Sequence, residues 1–227
     1  MSVQSVLFGL DDTLYDTTLQ MSMARMSAIK AMIAEGLPVE AEFAYNILNE
    51  IVKKYGNHHP KHFDLLLETL GLKYDPKIIA AGVLAYREIS SAYLKPYSDI
   101  IQTVLKLRDN NIKVYVVTSG PPVKQWQKLI ALGLDHLFHG VFIEENPNTM
   151  QGFTSEFLHN IIQNLKIKET DAIFVSGVPE EISVATNMGL RTVYISRSLI
   201  GYKNKQLPQN VIIINSMREL LSIIKIP

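Results

Sequence analysis

From Lys113 onward, short apolar runs rich in β-branched residues alternate with helix-length amphipathic stretches, and that rhythm leaves few folds open to the chain. Strands are expected at Lys113 to Thr118, Gly140 to Glu144, Ala172 to Ser176, Thr192 to Ser196 and Val211 to Asn215. Helices are expected at Asp99 to Asn110, Val123 to Leu132, Ser155 to Leu165, Pro179 to Met188 and Met217 to Lys225. Strands separated by crossover helices form a parallel sheet covered on both faces, with its site at the carboxyl ends of the strands. The expected fold class is therefore α/β, a doubly wound parallel sheet.

Val3 to Phe8 reads as one more buried strand, far ahead of the others. Between it and the rest the pattern changes to helices: from Thr17 a run with Met21, Met23, Met26, Ile29, Met32 and Ile33 mostly at helical spacing, ended by Gly36-Leu37-Pro38, then Val39 to Tyr55, His62 to Leu70 and Pro76 to Tyr93. A helical bundle inserted after the first strand is expected. Residues 1–16 and 95–227 would form the α/β core and residues 17–94 the bundle, with hinges at Asp16 to Thr18 and Leu94 to Ser98.

Composition narrows the function classes. The 227 residues carry zero formal net charge, so nucleic acid or an anionic membrane gains no overall attraction. The absence of cysteine excludes disulfides and thiolate metal sites. No apolar stretch reaches the roughly 20 residues of a membrane-spanning helix, and a cytoplasmic location is the expectation.

The first strand runs into Val6-Leu7-Phe8-Gly9-Leu10-Asp11-Asp12-Thr13-Leu14-Tyr15. An apolar run closing on two acids and a threonine near the N-terminus resembles the first motif of the haloacid dehalogenase (HAD) superfamily, Asp-x-Asp-x-Thr. The resemblance continues through Gly36-Leu37-Pro38-Val39, Leu94-Lys95-Pro96-Tyr97 and Pro122 to Leu129, and is closest to archaeal cap-bearing phosphatases of that superfamily. It implies a Rossmannoid core and a helical cap. It also implies phosphoryl transfer in which the first Asp attacks phosphorus, the second acts as general acid and base, and Mg²⁺ bridges the carboxylate and the phosphate. In this chain Gly9 stands in the nucleophile position, and glycine can neither attack nor ligate. No shifted register restores the pair, because Thr13 follows Asp11 and Leu14 follows Asp12 at the required spacing. Asp11 is the candidate general acid or base, and Thr13 a candidate phosphate contact.

The remaining motifs are uneven. Val114 to Gly120 supplies an apolar strand ending in Thr118-Ser119-Gly120, whose hydroxyls and turn N–H groups can hold a phosphate oxygen. Ser and Gly are also ordinary turn residues. The family's lysine should follow the strand that ends at Glu144-Glu145, yet Asn146 to Thr154 contains none and no Lys or Arg occurs between Lys128 and Lys166. Lys124 is the candidate stand-in, against its plain reading as a solvated helix residue. The family's metal-binding acid aligns with Gly177. Glu180 and Glu181 follow Pro179 and read as acids placed for the helix dipole, with replacement of the lost ligand as the alternative.

Outside the motifs, His58, His62 and Asp64 are ligand-capable but Pro60 breaks their spacing, so a cap turn is expected rather than a metal site. Trp126 is expected in the core, and Glu144-Glu145 has no partner identifiable from sequence. Together the losses point to a catalytically inactive pseudophosphatase acting by ligand or protein binding. A phosphatase of small phosphorylated metabolites with a non-standard site is the alternative. No cofactor of its own is expected, Mg²⁺ being the cofactor of complete relatives. The partner is a small phosphorylated ligand or a protein, with neither nucleic acid nor membrane, and a homodimer stays open.

Overall fold

Strand β1 (Ser5–Phe8) is buried along its whole length, the consequence of a strand with a neighbour on each side and helices above and below. The computed structural model describes residues 3–145, 152–197 and 206–226. The chain divides into two compact units, Met1–Thr18 with Leu94–Pro227, and Leu19–Tyr93.

In the first unit β1 pairs in parallel with β2 (Lys113–Ser119) on one side and β4 (Ala172–Ser176) on the other. β3 (Gly140–Glu144), β5 (Arg191–Ile195) and β6 (Ile212–Ile214) complete a parallel sheet ordered β3-β2-β1-β4-β5-β6. The chain therefore winds outward from β1 through β2 to β3, then returns to the other flank of β1 as β4. That reversal makes the carboxyl ends of β1 and β4 the topological switch point, where a doubly wound sheet opens a crevice.

Alternation along β1 divides the core. Val6 and Phe8 pack on one face with Ile100, Val104 and Leu107 of α5 (Ile100–Asp109), Leu129 of α6 (Pro122–Ala131), and Leu220 and Leu221 of α9 (Glu219–Ile224). Leu7 packs on the other with Leu158, Ile161 and Ile162 of α7 (Ser155–Asn164) and Ile182 of α8 (Pro179–Asn187). Each such side chain contributes roughly 1.5–3 kcal/mol of burial free energy, and both sheet faces are supplied.

The second unit holds α1 from Leu19 onward (the helix is Thr17–Ala34), α2 (Ala41–Tyr55), α3 (His62–Thr69) and α4 (Pro76–Tyr93). Their shared core includes Ile29, Met32, Leu48, Leu66 and Ile78. Gly36 ends α1 with φ +108°, donating to Ile33 O while Leu37 N–H reaches back to Met32 O, a closure that requires the left-handed backbone glycine tolerates. His62 Nε2 lies 2.9 Å from Gly56 O, and Lys61 N–H donates to His59 Nδ1, so two of these rings are spent on the turn that leads into α3.

Two expectations need correction. Trp126 is 41% exposed, not in the core. Helix α6 docks through Gln125 and Leu129, four residues apart, and Gln125 is fully buried because its side-chain amide donates to Ser119 O. Glu144 does have partners: its carboxylate accepts 2.6 Å hydrogen bonds from both the N–H and the hydroxyl of Thr154, which in turn caps α7 by accepting from Phe157 N–H. Thr154→Ala should cost about 1 kcal/mol through loss of this cap. A urea midpoint unchanged from wild type would contradict that. No helix among the described residues is long and apolar enough to cross a membrane.

Candidate active site

The sheet hydrogen bonding carries one residue past β1, with Gly9 N–H donating to Val175 O, and the chain then turns. Asp12 takes the turn at φ +51° and becomes buried. Its carboxylate caps the start of α1, one oxygen accepting from Thr18 N–H and the other from the Thr18 hydroxyl. Burial pushes Asp12 up to about 6 despite these bonds.

Asp11 points the other way. Lys128 Nζ lies 2.8 and 2.9 Å from its two carboxylate oxygens, and the hydroxyls of Tyr15 (2.6 Å) and Thr17 (3.1 Å) donate to Oδ1. Burial acts to raise the Asp11 pKa, but the Lys128 ammonium and these bonds outweigh it and hold the carboxyl below its ordinary value. The side chains of Lys128 and Asp11 stay 15% and 31% exposed, so the pair is open to a ligand. The lysine beside Asp11 is thus Lys128, and Lys124 is exposed on α6, as its reading as a solvated helix residue expects.

Gly9 leaves a vacancy that another residue fills. A Cβ at residue 9 would lie 2.6 Å from Glu181 Oε2, 2.9 Å from Ser176 Oγ and 3.0 Å from Thr13 Oγ1. Glu181 is therefore more than a helix-start acid. Although it stands in the first turn of α8, it is 5% exposed and its Oε2 accepts from the Ser176 hydroxyl at 2.7 Å. Burial, with Asp11, Asp12 and Glu180 nearby, pushes it up to about 8 against the Ser176 bond.

Gly177, aligned with the family's metal-binding acid, has a steric reason to be glycine. A Cβ there would lie 2.0 Å from the Asp12 carbonyl oxygen, so the β1 and β4 loops approach too closely for any side chain. Thr13 ties the same loops together: its hydroxyl accepts from Gly177 N–H at 2.9 Å and donates to Asp11 O at 3.1 Å. It is fully buried, which argues for a structural tie over the phosphate contact expected from sequence. Thr118, also buried, is the last residue but one of the neighbouring strand β2. The turn after it offers less than expected, because Gly120 N–H donates to Glu144 O and Pro121 and Pro122 have no N–H. The Thr118 and Ser119 side chains remain from that motif, while the segment 146–151, where the family lysine was sought, lies outside the described residues.

These donors do not fit a Mg²⁺ cage. Both Asp11 oxygens face an ammonium, both Asp12 oxygens face Thr18, and Glu181 Oε2 faces Ser176. No three His, Cys, Asp or Glu side chains gather as potential ligands among the described residues. Mg²⁺ demands near-octahedral oxygen coordination, commonly anchored by carboxylates that are free to turn toward it.

Comparison with known proteins bears on what such a site does. The chain is 42% identical over 198 residues to the glyceraldehyde 3-phosphate phosphatase of Methanopyrus kandleri, covering 86% of this chain and 84% of that one. It is 36% identical over 225 residues to the protein of the same name from Methanocaldococcus jannaschii, covering 98% and 97%. The crystal structure of a HAD phosphatase from Thermococcus onnurineus superimposes with a TM-score of 0.65 at 22% identity, over 100% and 99% of the two chains, which shows the shared fold. The relatives overturn the expectation of an inactive pseudophosphatase, since chains matching over most of their length are named as phosphatases. The charges missing at their motif positions have counterparts from elsewhere in the fold, a lysine from α6 and a carboxyl group from α8. Residues 3–189 match the haloacid dehalogenase-like hydrolases, and the chain belongs to that family.

Proposed function

We propose that the protein hydrolyses phosphate monoesters of small metabolites, with glyceraldehyde 3-phosphate the first substrate to test. The observation that carries this reading is the Asp11–Lys128 pair at the switch point of the sheet, in a chain up to 42% identical to phosphatases of that ester. Lys128 supplies the positive charge that a phosphoryl group requires, and a preorganised cation needs no reorganisation as charge develops. The Thr118 hydroxyl, at the end of the strand beside β1, is placed to donate to a phosphoryl oxygen. Asp11, kept ionised by Lys128, accepts the proton of a water attacking phosphorus. With the carboxylates of Asp11 and Asp12 engaged by Lys128 and Thr18, the reaction is assigned to the protein's own side chains and to no resident metal.

A panel of phosphorylated aldehydes, sugars and hydroxy acids, scored by release of inorganic phosphate, tests the reading. Turnover concentrated on the short three-carbon esters is expected. Equal rates across the panel would contradict the substrate, and no release from any ester would contradict the activity.

A further inference from the structure

Residue 9 has no side chain, yet the space in front of its Cα is not empty. Glu181 enters it from α8, and three polar atoms converge there: Glu181 Oε2, Ser176 Oγ and Thr13 Oγ1, at 2.6, 2.9 and 3.0 Å from the position of a Cβ. Ser176 fixes the arrangement, donating to Glu181 Oε2 at 2.7 Å and accepting from Val178 N–H at 2.9 Å. Glu181 is further confined by Gly152, where a Cβ would lie 3.0 Å from its Cγ. A side chain clamped on several sides and aimed at the head of the central strand is held for a purpose at that spot.

We propose that Glu181 takes the place of the side chain that residue 9 lacks and presents its carboxyl group to the substrate's phosphate ester as the proton donor of the reaction. This rests on the phosphatase reading. Water attacks phosphorus and gives its proton to Asp11. The bond between phosphorus and the ester oxygen breaks, and that oxygen takes the Glu181 proton and leaves as the alcohol, with inorganic phosphate as the second product. Solvent then returns the proton from Asp11 to Glu181, so no covalent intermediate forms. The charged surroundings suit the two roles. Burial first, then Asp11 and Asp12 from the β1 turn and Glu180 on its own helix, keep Glu181 protonated until about pH 8, while Lys128 keeps Asp11 ionised. Titratable groups whose surroundings push them apart divide into acid and base. A neutral carboxyl group also donates to a phosphate dianion that an ionised one would repel.

The test compares wild type with Glu181→Gln by pH–rate profile and by sulfate binding, sulfate being a tetrahedral dianion that does not titrate in this range. Wild-type kcat should fall as pH rises through about 8. In Glu181→Gln, whose amide donates a hydrogen bond but no proton, kcat should drop roughly 10²–10³-fold with KM little changed, and the falling limb should vanish. Sulfate affinity should decline at least about tenfold from pH 6.5 to 9 in wild type, the size of roughly 1.4 kcal/mol of added repulsion, and stay level in the variant. If wild type releases no phosphate, the phosphatase reading fails and the inference with it, whereas phosphate release with the results named next overturns the inference alone. A wild-type sulfate affinity that is flat with pH overturns the inference, as does a limb near 8 that survives in Glu181→Gln. Should Glu181→Gln not fold, the wild-type sulfate titration alone decides by the same criterion.

Discussion

Gly9→Asp, which writes the family's attacking residue back into the chain, should yield a less stable protein with no gain in activity. Its Cβ alone would approach Glu181, Ser176 and Thr13 to 3.0 Å or less, in a region where Thr13 and Ser176 are fully buried. Overpacking of this kind costs roughly 1–3 kcal/mol, and a second carboxyl group beside Glu181 adds the cost of charge in a buried setting. For a chain of this size each kcal/mol lowers Tm by roughly 2–4 °C. Removing the occupant should reverse the effect: in Gly9→Asp with Glu181→Ala, part of the loss is recovered, with a coupling of about 1–2 kcal/mol in a double-mutant cycle read from urea midpoints. Additive losses would show that Glu181 does not occupy the residue 9 vacancy.

Lys128→Met should be among the most damaging single changes to turnover. It removes the cation from a partly buried carboxylate and from the place where phosphoryl charge develops, and stabilisers of this type are worth roughly 10²–10³ in kcat. Its effect on folding should be smaller, because the pair is partly screened by solvent. The pH dependence carries the sign. Asp11 is held below its ordinary value in the folded protein, so its contribution is present at neutral pH and is lost as pH falls through the depressed value. Without Lys128 that acid limb should move to higher pH. Acid unfolding curves of the two proteins that coincide, with kcat retained, would contradict the assigned role.

The fold was legible because periodicity is a local signal. Gly140–Glu144, Ala172–Ser176 and Pro76–Tyr93 form at the residues where the apolar pattern and its Gly and Pro punctuation place them. β5 begins at Arg191, one residue ahead of Thr192, since pairing with β4 from Ile173 onward sets its start. The site was legible only where its residues are consecutive. Asp11 and the gap at Gly9 stand out in the β1 turn, but Lys128 joins Asp11 across 117 positions and nothing local marks it. Helical phase does not separate the candidates: at about 100° per residue Trp126 and Lys128 lie equally far, on opposite sides, from the direction of the buried Gln125 and Leu129. Glu181 was obscured for a different reason. An acid after a proline at a helix start has a sufficient local explanation, and only the three-dimensional contact with the residue 9 vacancy shows that it does something more. Gly177 looks like a lost ligand in the sequence and proves to be a point of backbone contact with Asp12.

Release of inorganic phosphate from glyceraldehyde 3-phosphate at neutral pH, by wild type and Asp11→Asn side by side, tests the central claim most directly. The Asn variant keeps the shape of the carboxylate and loses its capacity to take a proton. Wild-type turnover at least about 10²-fold above that of Asp11→Asn, with both proteins folded, is the predicted result. Wild-type release no faster than that of the Asn variant, or no faster than buffer alone, would contradict a phosphatase built around Asp11 and Lys128.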